Sequence, residues 1–111
     1  MPDPHVARVI KLESGQRYQR LLNKESGTFG IKSGHVTLKS GESIGEHSTG
    51  EREEVVVILK GSGEAIINKN STLKIEKDSI LYVPPKTTHD IKNTGGDIFE
   101  YIFTISLAQD L

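Results

Sequence analysis

Residues 41–61 read GESIGEHSTGEREEVVVILKG, and the fold follows from how that stretch is paired and buried. It sets His47, Thr49 and Glu54 just ahead of the most apolar run in the chain, Val55-Val56-Val57-Ile58-Leu59. A carboxylate leading into a buried strand is costly unless a cation or hydrogen-bond donors replace its lost water. His47 and Thr49 are two residues apart, so on an extended strand they project from the same face. The run 54–59 is apolar on both faces and therefore needs cover on both. One face would look into a barrel, the other onto a second layer or a partner chain. Downstream, YVPPKTTHDIKN (82–93) puts His89 two residues before Ile91. Two histidines and a glutamate converging inside a β-structure would make a metal site.

Working outward, the chain reads as short strands separated by turn residues. Residues 2–5 (PDPH) are a proline-restricted lead-in, and Val6 to Leu12 alternates loosely as a strand. Gln16 to Leu22 fits a strand or a helix by its pattern and is read as a strand from its neighbours. A turn at 23–27 precedes strands 28–32 and 35–39, separated by Ser33-Gly34. In the second, Val36 and Leu38 face one way, while His35, Thr37 and Lys39 face away from the core. After the apolar run, Gly61-Ser62-Gly63 opens a hairpin into 64–67, and Leu73 and Ile75 alternate on a return strand. Pro84-Pro85 ends strand 79–83, because neither proline has an N–H to give a ladder. The last strand, 98–107, aligns Phe99, Tyr101, Phe103 and Ile105 on one face. About nine or ten strands with turns every 8–12 residues and no helix predict an all-β sandwich or barrel.

The totals agree with one domain over residues 1–111. A formal net charge of −1 with 26% charged residues of both signs argues against a nucleic-acid or anionic-membrane surface. Hydrophobic content is 34%, concentrated in a few dense runs that can build a small core. Cysteine is absent, which excludes disulfides and thiolate ligands and fits a reducing cytoplasm. The N-terminal MPDPHVARVIKLESG lacks the pattern of a secretion signal. No run approaches the roughly 18 apolar residues of a membrane span. The expected location is cytoplasmic.

Two spaced motifs within residues 28–105 resemble the small single-domain cupins of the conserved-barrel (cupin 2) type. The first cupin motif has glycine, five residues, His-x-His, three or four residues, glutamate, six residues and glycine. Gly41, His47, Glu54 and Gly61 stand at that spacing, with Thr49 at the second histidine position. The second motif has glycine, five residues, Pro-x-Gly, two residues, histidine, three residues and asparagine. Pro84, His89 and Asn93 match, while Asp78 and Lys86 stand where the glycines would be. The resemblance implies a double-stranded β-helix (jelly-roll) barrel, often a homodimer. It also implies a metal held by His47, Glu54 and His89, with one ligand missing.

That set of two histidines and one carboxylate suits a divalent Fe, Mn, Zn or Ni ion. Thr49, Arg52 and Tyr82 are the candidate substrate contacts, and Glu51 is the first alternative carboxylate ligand. Tyr18, Tyr101 and Phe103 could line a pocket or simply fill the core. His35 and His5 are not candidate ligands. Two functions compete. One is a metal-dependent protein acting on a small molecule; the other is a metal-free small-molecule or sugar-binding module. A homodimer is expected because the doubly apolar run and the aromatic last strand need cover beyond one thin barrel.

Overall fold

A computed structural model describes residues 5–108. Residues 2–4 of the proline-restricted lead-in lie outside the described residues. Nine strands and no helix occur among them: β1 Tyr18–Leu22, β2 Lys32–Leu38, β3 His47–Ser48, β4 Arg52–Lys60, β5 Ser62–Ile67, β6 Ser71–Glu76, β7 Ser79–Val83, β8 Thr88–Lys92 and β9 Phe99–Leu107. They form two antiparallel sheets, one in the order β1-β2-β9-β4-β7 and the other β3-β8-β5-β6. The expected all-β double-stranded β-helix is the fold observed.

The core lies between the sheets. Val56 and Ile58 of β4, Val36 and Leu38 of β2, and Phe99 and Tyr101 of β9 meet Ala65, Ile75 and Ile91 of the facing sheet. Alternation decides which side chains reach it. In β4 the even-numbered Glu54, Val56 and Ile58 point inward and are buried, while Val55 and Val57 point out and are exposed. The register pairs Val55 with Tyr82 and Val57 with Ile80, both exposed, so the outer face of β4 and β7 is an uncovered apolar surface. No layer among the described residues supplies the outer cover expected for that run.

Three local expectations are corrected. Residues 6–12 form no strand: Val9 is 95% exposed, and the segment is tied down through a side chain instead of a ladder. Gln19 donates from Nε2 to Lys11 O at 3.0 Å and accepts at Oε1 from Glu13 N–H at 2.8 Å. Loose alternation of three apolar residues does not make a strand where no partner backbone pairs with it. Ser33-Gly34 does not interrupt the chain, and residues 28–31 are not strand; β2 begins at Lys32 and runs straight through. Gly34 is there for space: a Cβ would fall 2.7 Å from the Phe103 ring and 2.8 Å from that of Tyr18. Finally, 61–63 is a corner between the sheets and not a hairpin, since β4 and β5 belong to different sheets. At Gly61 (φ 82°) a Cβ would lie 2.4 Å from Ile98 O, so only glycine turns there.

His35 faces away from the core, as its alternation requires, yet it is buried on that side. Its Nε2 lies 2.6 Å from Glu100 Oε1 and its Nδ1 3.2 Å from Gln19 Oε1. It thereby helps fix the same glutamine that holds residues 11–13.

Candidate metal centre

The three candidate ligands come from both sheets. His47 on β3 and His89 on β8 are directly opposed in the antiparallel register. Such cross-strand partners carry their side chains on one face, about 5 Å apart at Cβ. Their rings meet edge to face with centroids 4.2 Å apart. Glu54 reaches them from β4 in the other sheet. One ligand atom from each of His47, Glu54 and His89 lies within 4.8 Å of the others.

The burial of these groups is what makes the cluster unusual. Glu54 is 4% exposed and His89 1%. His89 Nε2 sits 3.3 Å from Glu54 Oε1, an ion-pair distance without hydrogen-bond alignment. Glu54 Oε1 and both ring nitrogens of His89 are therefore buried without hydrogen-bond partners. Leaving such groups unsatisfied costs on the order of 1–3 kcal/mol each, and more when charged. A cation held by Glu54 Oε1 and His89 Nε2 would remove that cost for those two atoms, so the residues fit a metal. His47 is exposed, and its Nδ1 lies 3.2 Å from Gly45 O. A carbonyl only accepts, so Nδ1 carries the proton and Nε2 is left as the ligand atom.

The charges respond to this crowding. Burial resists the charged form of His89, but the Glu54 carboxylate, with the Thr87 backbone and Asp90, outweighs it and raises the pKa above 6.5. Tyr101 is pushed well above its ordinary range, first by burial and then by the negative charges of Glu54 and Asp90.

The other candidates are placed differently. The Thr49 hydroxyl donates to Pro84 O at 2.7 Å and accepts from Thr87 N–H at 3.1 Å. Its backbone N–H donates to Thr87 O, so the residue clamps the loop that delivers His89. Arg52 is exposed at the start of β4, in phase with Glu54. Tyr82 is 54% exposed on the outer face of β7, where its hydroxyl donates to Glu53 at 2.9 Å. Glu51 is an exposed loop residue outside the cluster. The structure thus brings His47, Glu54 and His89 together, puts Arg52 on the same face of β4 as Glu54, and leaves Tyr82 on the outer face.

Three further motif positions act on the backbone. Asn93 is fully buried, donating to Leu38 O and Asp97 O and accepting from Gly95 N–H. Asp78 and Lys86, at the two glycine positions, both hold positive φ, 68° and 54°. The family spacing therefore survives at these turns although the residue that adopts such φ most easily is absent.

Beside the cluster lies a cavity of about 310 Å³, walled by Tyr18, Ile44, Ile91, Tyr101, Phe103 and Ile105. Its polar lining is His47, Glu54 and Lys32. Lys32 was not legible as a site residue, because it falls in the segment read as ending at Ser33-Gly34. Read through that glycine, Lys32 shares the inward parity of Val36 and Leu38.

A family model described as a cupin domain matches residues 34–105. The tetracenomycin polyketide synthase protein TcmJ of Streptomyces glaucescens is 30% identical over 73 residues, spanning 66% of this chain and 48% of that protein. The chain spans about half the length of the curated relatives it matches. A solved structure described as a predicted oxalate decarboxylase from Thermotoga maritima superposes with a TM-score of 0.75 at 26% identity. The superposition covers 82% of this chain and 79% of that one. An RmlC-like cupin with a double-stranded β-helix fold from Methanocaldococcus jannaschii gives 0.76 at 21% identity, covering 92% and 91%.

Proposed function

This chain belongs to the cupin family, and we propose that it binds a divalent metal through His47, Glu54 and His89 and binds or acts on a small molecule in the adjoining cavity. The observation that carries the reading is the set of buried, unpartnered acceptor atoms on Glu54 and His89, facing each other and His47. A bound divalent ion there would act as a Lewis acid or, as iron or manganese, support oxygen chemistry; zinc and nickel suit the same ligands. The protein's own part is to present the Glu54 carboxylate from β4 opposite His89, set the His47 tautomer through Gly45 O, and line the adjoining cavity with apolar side chains.

Elemental analysis of tag-free protein kept from chelators tests this. Near one transition metal per chain, lost in His89→Ala, is the expected result; no metal after reconstitution overturns it. The competing reading is a metal-free small-molecule or sugar-binding module. It is favoured by the Thr49 hydroxyl, which is committed to the backbone and offers no fourth ligand.

The uncovered outer face of Val55, Val57, Ile80 and Tyr82 supports a homodimer. Sedimentation equilibrium showing only monomer would refute it. The absence of cysteine supports a cytoplasmic setting, and no helix among the described residues is long and apolar enough to cross a membrane. Retention of a tagged chain outside the cytoplasmic fraction would contradict that placement.

A further inference from the structure

We infer that the cavity takes a small aromatic carboxylate, its ring against Tyr18, Phe103 and Tyr101 and its anionic group on Lys32. This rests on the reading of the cavity as the small-molecule site beside the metal cluster.

Three observations lead to it. First, the cavity has two chemically opposite ends. Lys32 on β2 and Glu54 on β4 both pair with Ile105 of β9, so they flank it in one row of the sheet. Two strand spacings put their Cα atoms about 10 Å apart. With no ion bound, an anionic group is repelled at the carboxylate end and attracted at the lysine end; a divalent ion on Glu54 would reverse the first and leave the second.

Second, Lys32 is uncommitted. It is exposed at the start of β2, lines the cavity, and forms no ion pair or hydrogen bond among the described residues. Its neighbours in the cavity wall, Tyr18, Phe103 and Ile105, offer it none.

Third, the wall between the two ends is built for a flat ring. Tyr18 and Phe103 lie nearly parallel, with 24° between planes and centroids 6.2 Å apart. They occupy the space that Gly34 leaves on the inward face of β2, between Lys32 and Val36. A cavity of 310 Å³ has the liquid volume of about ten waters, room for a one- or two-ring molecule. Apart from the two ends and the hydroxyls of Tyr18 and Tyr101, the lining is aliphatic and aromatic, which favours a ring over a polyol.

The test is isothermal titration calorimetry with 1-naphthoate and, as the uncharged counterpart, 1-naphthalenemethanol. Native, Lys32→Met, Lys32→Arg and His89→Ala proteins are compared, and the metal content of each is measured. Naphthoate is expected to bind the native protein, to bind Lys32→Met about tenfold more weakly, as for loss of one charge-assisted hydrogen bond, and to recover in Lys32→Arg. The alcohol should not distinguish Lys32→Met from native. No naphthoate binding, or equal binding by native and Lys32→Met, overturns the inference. Lys32-dependent binding to protein that holds no metal upholds it while the metal reading falls. Binding lost in His89→Ala but indifferent to Lys32→Met overturns it and leaves the metal reading standing.

Discussion

Replacing Glu54 with glutamine removes one charge and keeps the side-chain volume, which separates metal binding from packing. In the native protein, an ion that binds only the folded chain stabilises it by about 2.7 kcal/mol at a free concentration a hundredfold above its dissociation constant. For a chain of 111 residues the unfolding entropy is about 0.23 kcal/mol/K, so the midpoint should rise by about 12 °C. Glu54→Gln lacks the anionic oxygen, and the same addition should move its midpoint by no more than a degree or two. Without metal, and at a pH above the folded pKa of His89, the two proteins should melt close together, because the neutral ring leaves no charge that the amide fails to pair. At lower pH the variant should melt lower, since the mutation then removes one partner of a buried ion pair. Differential scanning calorimetry of chelator-treated protein, with and without added Mn, Fe(II), Zn or Ni, measures both quantities. An equal metal-induced rise in Glu54→Gln would refute the assignment of Glu54. A collapse of its metal-free midpoint would show instead that the carboxylate holds the fold.

Acidity should act on the metal-free protein through His89, whose pKa is raised above 6.5 when folded. A group of that kind contributes stability fully below its unfolded pKa and loses it as pH rises through the folded value. Urea midpoints of metal-free protein should therefore fall from mildly acidic to alkaline pH, with the slope reduced in Glu54→Gln; an unchanged slope in that variant would contradict the pairing. Metal affinity should run the other way and strengthen with rising pH, since His89 must lose its proton to coordinate. Thr49→Val should cost about 1–2 kcal/mol in urea unfolding by stripping partners from Pro84 O and Thr87 N–H. If Thr49→Val leaves stability untouched and removes substrate binding instead, Thr49 is a ligand contact and not a clamp.

Glu54 and His89 were legible because the chemistry of a carboxylate before an apolar run, and of a histidine in phase with Ile91, is local. The same local reasoning placed Phe99, Tyr101, Phe103 and Ile105 on one face of β9, where they are found. It failed where the outcome depends on what another strand does. Gly34 reads as a breaker until the rings of Phe103 and Tyr18 are seen to need its missing side chain, and Lys32 stays hidden with it. Gly61 reads as a hairpin until Ile98 O arrives from a segment far along the chain. Thr49 looks like a place in a ligand set, but its hydroxyl is engaged by the backbone on either side of Pro85 and Lys86.

Strand periodicity, the two spaced motifs and the absence of thiolate chemistry are readable from residue type and interval alone. Tertiary structure alone decided that β4 and β5 part into separate sheets and that His47 and His89 become cross-strand partners. It also decided that Glu54 and His89 are buried beside each other with acceptor atoms to spare. Those outcomes rest on register and on the distance between segments remote in sequence, which no local pattern encodes.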